Sequence, residues 1–421
     1  MRTKNTFNHI LMIGGICLLT LSMVRIPSAF SDEENRISLE IAIETALREN
    51  PEINTIREKI KVARARIDGI ALLGNPELET EFVGGADAEQ KLELTKPFEL
   101  GGQRGHRIRI AKTQLEKVDT ELAKASQFVT KSVKIAFYEL LLVQEKLKLA
   151  KEIIQHNEQM HDIAQTRFEA GDISVTQANL ADIHLQSALR DAAILEIKLQ
   201  LAQLALNGIM GTPLDTPRVA VGELREKVMA NTDQKLTLDT LKTQALTHRN
   251  DLKSLQLDVQ LTESELRLAK AANIPDLSVG ALAERSAGEN AFGVKFSIPL
   301  PLFNRNRAEI DATKAQQQVD TAEINNSEKQ IIREVMAAFI SFRTARKMLT
   351  FYGGDSLKLL NENLKLTRTA YELGETELLE LILMQNEFIK TRFAYLDALA
   401  AYHQALAELE AAVGTSLESI P

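Results

Sequence analysis

Ala370-Tyr371-Glu372-Leu373-Gly374-Glu375-Thr376 separates two long stretches of helical periodicity that together span 305–414. Gly374 is the residue there that turns the chain at no steric cost, so the stretches fold back on each other as a hairpin. Almost the same design occupies 104–211, reversing at Arg167-Phe168-Glu169-Ala170-Gly171-Asp172-Ile173-Ser174. Phe168 matches Tyr371, Gly171 matches Gly374 and Gly211-Thr212 matches Gly414-Thr415, all at one offset of 203 residues. The chain is therefore a tandem duplication, with a unit longer than any solenoid repeat.

Charged residues make up 26% of the 421, aromatics only 5%, and Trp is absent, which favours long solvated helices over an all-β body. Unbroken, 104–168 and 305–371 would each extend about 100 Å at ~1.5 Å per residue. Val129, Val133, Ala136, Leu140, Val143, Leu147, Ala150 and Ile154 alternate spacings of three and four, a heptad seam. The returning helices offer Leu180, Ile183, Ser187, Ile194, Ile197, Leu201 and Leu204, and then Leu379, Ile382, Asn386, Ile389, Phe393, Leu396, Ala400, His403 and Ala407. Such repeats predict hairpins packed as left-handed coiled coils.

Ahead of each hairpin the hydrophobic period drops to two. Leu78, Thr80 and Phe82 alternate with Glu77, Glu79 and Glu81, and Leu92 and Leu94 flank Glu93. In the second half Leu277, Val279 and Ala281 precede Val294, Phe296 and Ile298, which alternate with Gly293, Lys295 and Ser297. Gly84-Gly85-Ala86-Asp87 and the segment 285–290 suit the turns between them. Four strands with one apolar and one polar face cannot close on themselves, and open edges are untenable in lipid, so the alternation reads either as strands pooled by several chains around a wet lumen or as a soluble β-cap on a helical stalk. The acidic alternation and the export leader described below favour the barrel.

The strands end at proline-marked junctions followed by basic residues: Arg104, Arg107 and Arg109 in the first half, Arg305 and Arg307 in the second. Positive charge at a helix start opposes the helix dipole, which predicts a partner outside the helix, with anionic lipid headgroups at a membrane rim as one candidate and plain solvation as the other. Upstream, Asn50-Pro51 divides two helical patterns, and Arg249-Asn250-Asp251-Leu252 repeats that division. Pro213, Pro217, Gly222 and Asn231 mark a link between the halves, expected alongside the middle of the long helices.

Arg2 and Lys4 precede an apolar run over 10–24, and Ala29-Phe30-Ser31 offers a cleavage site, so 1–31 read as an export leader. The leader carries Arg2, Lys4 and Arg25 and no acid, so its removal takes the net charge from −8 down by three to −11, which argues against nucleic-acid binding. Cys17, the single cysteine, lies inside the leader without the flanking residues of a lipidation signal. The mature chain then has no thiol for a disulfide or metal site. No phosphate loop or His-Glu-x-x-His motif occurs. His156 and His161, five apart, fall on different helix faces, and His403 on the seam reads as a hydrogen-bonded core residue, so neither catalysis nor a cofactor is expected.

The duplicated plan, the Asn50-Pro51 and Arg249-Asn250-Asp251-Leu252 openings, both Phe/Tyr-x-x-Gly reversals and the closing Leu409-Glu410-Ala411-Ala412-Val413-Gly414 together resemble the TolC-like outer-membrane efflux proteins. Phe98-Glu99-Leu100-Gly101-Gly102-Gln103-Arg104, Phe168-Glu169-Ala170-Gly171-Asp172-Ile173-Ser174 and Ile298-Pro299-Leu300-Pro301-Leu302-Phe303-Asn304-Arg305 resemble the CzcC-like branch, which serves heavy-metal cation exporters. The resemblance implies a mainly α protein with a small membrane β-barrel: a homotrimer whose 12-stranded barrel, four strands per chain, continues into an α-helical tunnel across the periplasm. It implies a first repeat over 32–211, a linker over 212–237 and a second repeat over 238–421. The implied partners are a periplasmic adaptor and an inner-membrane pump of the resistance-nodulation-division type, with the barrel in outer-membrane lipid of a Gram-negative bacterium. By the same resemblance Gly171, Asp172, Ile173 and Ser174, with Gly374, Glu375 and Thr376, are the adaptor-docking tips, and Glu380 and Leu383 fall where relatives narrow the periplasmic end. Drug efflux or polypeptide secretion are rival cargoes, and a coiled-coil scaffold without a pore is the rival of another class.

Overall fold

The computed structural model describes residues 35–83, 89–225, 237–286, 289–352 and 355–417. The leader with Cys17, the turn Gly84-Gly85-Ala86-Asp87, residues 287–288 of the other turn and 226–236 of the linker lie outside the described residues. In chain order the first half contains β1 (Arg36–Ile37), α1 (Leu39–Glu49), α2 (Pro51–Ala71), β2 (Glu77–Val83), β3 (Glu89–Phe98), α3 (Gln103–Glu169), α4 (Val175–Met210) and β4 (Val219–Ala220). The second contains α5 (Leu238–His248), α6 (Asn250–Ala271), β5 (Leu277–Ser286), β6 (Glu289–Ser297), α7 (Arg307–Tyr352), α8 (Asp355–Glu372) and α9 (Leu378–Val413). Among the described residues no helix is long and apolar enough to cross a membrane.

The four long strands form one antiparallel sheet in the order β2-β3-β5-β6. Its register puts Leu78, Leu94, Ala281 and Val294 in one cross-strand row and Thr80, Leu92, Ala283 and Phe292 in the next. The opposite face carries the rows Glu79, Glu93, Leu282, Gly293 and Glu81, Lys91, Glu284, Ala291. The period-two alternation thus gives one largely apolar and one largely acidic face, because paired residues share a side of the pleat. Glu93 is buried on the polar face, 2.6 Å from Lys295 Nζ, and accepts a hydrogen bond from Thr95 at 3.0 Å.

Each strand continues into a helical column, and the columns keep the strand order. α3 is one helix of 67 residues, about 100 Å at ~1.5 Å per residue. α4 pairs with its lower part and α2 with its upper part; on its other side α3 meets α9 and α6, which in turn meet α7, with α8 against α9. The molecule is therefore a row of four columns, α2/α4, α3, α6/α9 and α7/α8, with β2 and β6 at the open ends of the sheet.

Two columns are built from end-to-end helices, and the joints are duplicated. At the first, Asn50 caps α2 by accepting from the amides of Glu52 (2.9 Å) and Ile53 (3.2 Å) while donating from Nδ2 to the Ile209 carbonyl at the end of α4, 2.7 Å away. At the second, Arg249 donates to the Ala412 carbonyl at the end of α9 (3.2 Å) and pairs with Asp251 and with Glu334 at 2.8 Å. Gly211 and Gly414 end the lower helices at φ 75° and 85°, the left-handed region, with the upper helix against them. The linker does run beside the middle of α3. Its β4 pairs in parallel with β1, and the Ala220 amide donates to Gln144 Oε1 at 3.1 Å.

Along the second descending column α7 is described to Tyr352 and α8 from Asp355, and Gly353-Gly354 lie outside the described residues. Two expectations need correction. On α4 the expected seam lies outside. Ile183, Ile194, Ile197, Leu201 and Leu204 are exposed, while Ala181, Ala188, Ala192, Leu195, Ala202 and Leu206 are buried. Alanines let α4 approach α3 closely, so the stripe of small residues, not the largest apolar stripe, is the seam. On α9 Leu379 and Asn386 are likewise exposed, the inner positions being Leu378, Leu381, Ile382 and Gln385, whereas Leu396, Ala400, His403 and Ala407 are buried as expected. The α3 seam from Val129 to Ala150 is buried at every position named.

Candidate functional site: hairpin tips, narrowing helix and membrane rim

The two reversals fold identically. Gly171 (φ 80°) donates to the Phe168 carbonyl at 3.0 Å and Asp172 to that of Arg167 at 2.8 Å. Gly374 (φ 76°) donates to Tyr371 at 3.0 Å and Glu375 to Ala370 at 2.8 Å. Both are Schellman turns, which satisfy the last carbonyls of the descending helix and demand a left-handed residue. Ser174 then caps α4 in a capping box with Gln177, whereas Glu377, in the same extended conformation, starts α9 with no side-chain cap.

The tips pack against each other. Met160, Ala164 and Ala181 of the first hairpin share a core with Leu364, Tyr371, Leu378, Leu381 and Ile382 of the second, and Arg167 lies over the Tyr371 ring with its guanidinium carbon 5.8 Å from the centroid. Ile173 is half-buried against this core; Gly171, Asp172, Ser174, Gly374 and Glu375 are exposed, and Thr376 is half-buried. Burial pushes the Tyr371 phenol above its ordinary pKa, partly offset by Arg167.

Glu380 and Leu383 are both exposed, three residues apart on one face of α9, opposite the buried Leu378, Leu381 and Ile382. Thr376 Oγ1 donates to Glu380 Oε2. At the other end of the helices the five basic residues divide. Arg104 donates to the Ala71 carbonyl and Arg107 pairs with Glu99 at 2.5 Å, so the charge that opposes the helix dipole has protein partners at these two. Arg109, Arg305 and Arg307 are exposed and make no ion pair among the described residues.

The sequence did not single out a polar layer in the hairpin interior. Gln385 donates to Asn157 at 2.8 Å and Asn157 to the His184 carbonyl at 3.3 Å, joining α9, α3 and α4. The signal was present: counting on from Ile154, Asn157 is the next seam position, and a polar residue on a seam fixes register. His156, beside it, lies 3.2 Å from Arg368, and burial followed by that guanidinium holds its pKa below the ordinary value. His403 is a core residue, its ring 3.9 Å from that of Tyr138 and its Nε2 2.8 Å from the Arg225 carbonyl. Among the described residues no three His, Cys, Asp or Glu side chains are placed to hold a metal ion.

Residues 42–212 and 241–415 each match the family described as outer membrane efflux protein. The chain belongs to that family. It is similar to the cobalt-zinc-cadmium resistance protein CzcC of Cupriavidus metallidurans, 22% identical over 382 residues and 90% of each chain. Among solved structures it is similar to a membrane protein from Pseudomonas aeruginosa, with TM-score 0.74 and 19% identity over 89% of this chain and 92% of that one. It also resembles CusC, a cation efflux system protein in Escherichia coli, with TM-score 0.70 and 18% identity over 90% and 92%. As an outer membrane efflux protein the chain is a Gram-negative outer-membrane channel reaching into the periplasm, and the scaffold reading falls.

Proposed function

We propose that three copies of this chain form the exit duct of a tripartite system that expels heavy-metal cations, receiving them from an inner-membrane pump of the resistance-nodulation-division type through a periplasmic adaptor. The observation that carries the reading is the row of four columns left open at both ends. One end shows Ile183, Ile194, Ile197 and Leu201 on α4; the other shows Met336, Ile340 and Phe351 on α7, with Leu359 and Leu366 on α8. Two different apolar edges suit head-to-tail association, which closes as a ring. Three copies pool 12 strands, enough for an open lumen where eight would be filled by side chains.

The acidic face of the sheet then lines the lumen. It carries Glu77, Glu79, Glu81, Glu89, Glu93, Glu284 and Glu289 against Lys91 and Lys295, a field that concentrates cations. Glu380 and Leu383 line the periplasmic narrowing, the carboxylates as a cation-attracting ring and the leucines as a constriction that resists wetting. The exposed Gly171, Asp172 and Ser174, with Gly374 and Glu375, and Ile173 and Thr376 beside them, meet the adaptor. Substitutions to test docking belong at Asp172 and Glu375, because Ile173 also supports the core between the tips. The repeats correspond to 32–211 and 238–421, with 212–237 between them.

Deleting the gene should sensitise cells to cobalt, zinc and cadmium salts and leave tolerance of organic drugs intact; the reverse pattern would move the cargo to drugs. The purified channel should have three times the chain mass in detergent and open cation-selective conductance steps in planar bilayers. Glu380→Gln should weaken that selectivity.

A further inference from the structure

At all four passages between the helical wall and the sheet, large apolar side chains stand exposed. Leu72 and Leu73 follow α2, Leu100 follows β3, Ile274 follows α6, and Leu300, Leu302 and Phe303 follow β6, Phe303 being 100% exposed. Solvent does not explain so many at one level, because scattered exposure is ordinary but a contiguous apolar belt marks a contact. A neighbouring copy does not explain those after β3. β3 pairs on both sides within the chain, so the passage after it lies inside the protomer's own row, yet Leu100 and Phe98 are exposed there as well.

Pro299 and Pro301 keep the passage after β6 out of helix and strand, holding its apolar side chains outside both. Arg305 and Arg307 come immediately afterwards, exposed and without an ion pair among the described residues. Arg109, exposed and likewise without an ion pair among the described residues, lies in the second turn of α3, after the passage from β3. Apolar side chains bordered on the periplasmic side by free guanidinium groups match the boundary of a bilayer, where long basic side chains reach headgroups from an apolar base.

Building on the outer-membrane channel reading, we propose that these four passages form a collar seated in the periplasmic leaflet of the outer membrane, with Leu300, Leu302 and Phe303 among the acyl chains and Arg109, Arg305 and Arg307 on the phosphates of anionic phospholipid. The collar continues the apolar face of the sheet below the barrel and anchors the chain to that leaflet.

The protein has no Trp, so a single introduced indole reports without background. Full-length Phe303→Trp and, separately, Leu300→Trp are reconstituted in vesicles of phosphatidylethanolamine and phosphatidylglycerol whose acyl chains are brominated near the carbonyl. Val294→Trp, on the apolar face of the sheet, serves as reference for the barrel. At least twofold quenching by the brominated lipid at 303 or 300, with little quenching by aqueous acrylamide, supports the collar. Acrylamide quenching at both positions, or protection from both quenchers as at an interface between copies, overturns it. If Val294→Trp is quenched by lipid and the collar positions are not, only the collar fails; if Val294→Trp is not quenched, the barrel reading fails with its own readout. Adding Arg305→Gln and Arg307→Gln to Phe303→Trp should reduce quenching at least twofold with phosphatidylglycerol present; an equal effect in phosphatidylcholine alone overturns the role of the phosphates.

Discussion

The two joints between stacked helices occupy equivalent positions and use different chemistry. Asn50 and Arg249 correspond at an offset of 199, and the carbonyls they bind, Ile209 and Ala412, at 203. Asn50 works alone, one end of its amide capping α2 while the other holds α4. Arg249 can only donate, so capping α6 falls to Asp251, whose carboxylate accepts from the Leu252 amide at 3.0 Å and pairs with Arg249 in turn. Duplication preserved the demand for a donor on the last carbonyls of the lower helix and let the donor diverge. The first joint is neutral; the second is a partly buried ion network reaching α7 through Glu334.

The comparison breaks first at the glycines. A Cβ on Gly211 would sit 2.5 Å from the Glu49 carbonyl oxygen, against backbone that cannot swing aside, and φ is 75°. On Gly414 the nearest atoms are at 3.2 Å, with φ 85°. Gly211→Ala is therefore expected to destabilise the folded channel by roughly 2–4 kcal/mol, combining left-handed strain with a forced backbone shift, and Gly414→Ala by about 1–2 kcal/mol from strain alone. The thermal unfolding midpoints of the two variants in detergent should fall in that order. Equal losses would mean that the first joint is no tighter than the second.

Much of this architecture was legible in the sequence, and the unread parts share a cause. Alternation located four strands, and Gly171 and Gly374 located both turns, because a local backbone demand admits few residue types. The α3 seam was readable because Val129 to Ala150 face other helices all along their length. On α4 the pattern misled: Ile183, Ile194, Ile197 and Leu201 repeat as regularly as any core stripe, yet they are exposed in a single chain. α4 carries two apolar stripes, one buried against α3 and one exposed, and periodicity does not rank them. The joints were visible only as halves, because Asn50 and Ile209 are 159 residues apart. Of the candidate site, position was legible and contact was not: Arg107 finds its anion in Glu99, and Ile173 supports the core between the tips.

Removing the donors sharpens the contrast between neutral and ionic joints. Arg249→Ala leaves Asp251 partly buried without its counter-ion, and is expected to cost roughly 2–3 kcal/mol, below the range for fully buried pairs because the site is partly solvated. Asn50→Ala removes a cap and a carbonyl contact, about 1–2 kcal/mol. The pH dependence separates them further. Burial acts to raise the Asp251 pKa but is outweighed by Arg249 and the Leu252 amide, so it lies below the ordinary carboxylate value. A group depressed on folding stabilises fully above its unfolded pKa and loses that contribution as pH falls through the folded one. Acidification below the ordinary carboxylate range should therefore lower the unfolding midpoint of the parent, and less so that of Arg249→Ala, while Asn50→Ala keeps the parental slope. A parental slope in Arg249→Ala would assign the acid sensitivity to other carboxylates.

The smallest expected effect lies at the tips, where the two repeats have the same turn and unlike caps. Ser174 and Glu377 share an extended conformation, φ/ψ −77°/156° and −84°/152°, but only Ser174 accepts a bond from its helix. Glu377→Ser should therefore stabilise the start of α9 by about 0.5–1 kcal/mol, seen as slower amide exchange there. It also completes a capping box, because Glu380 stands three residues on, where its carboxylate would reach back to the backbone amide of residue 377. In the parent that carboxylate accepts from Thr376 and its side chain remains exposed. Drawing it onto the backbone takes charge away from the proposed narrowing, so Glu377→Ser should shift single-channel cation selectivity in the direction of Glu380→Gln while the tip becomes more stable. A stabilised tip with parental selectivity would place Glu380 off the conduction path and leave it as a residue of the helix start.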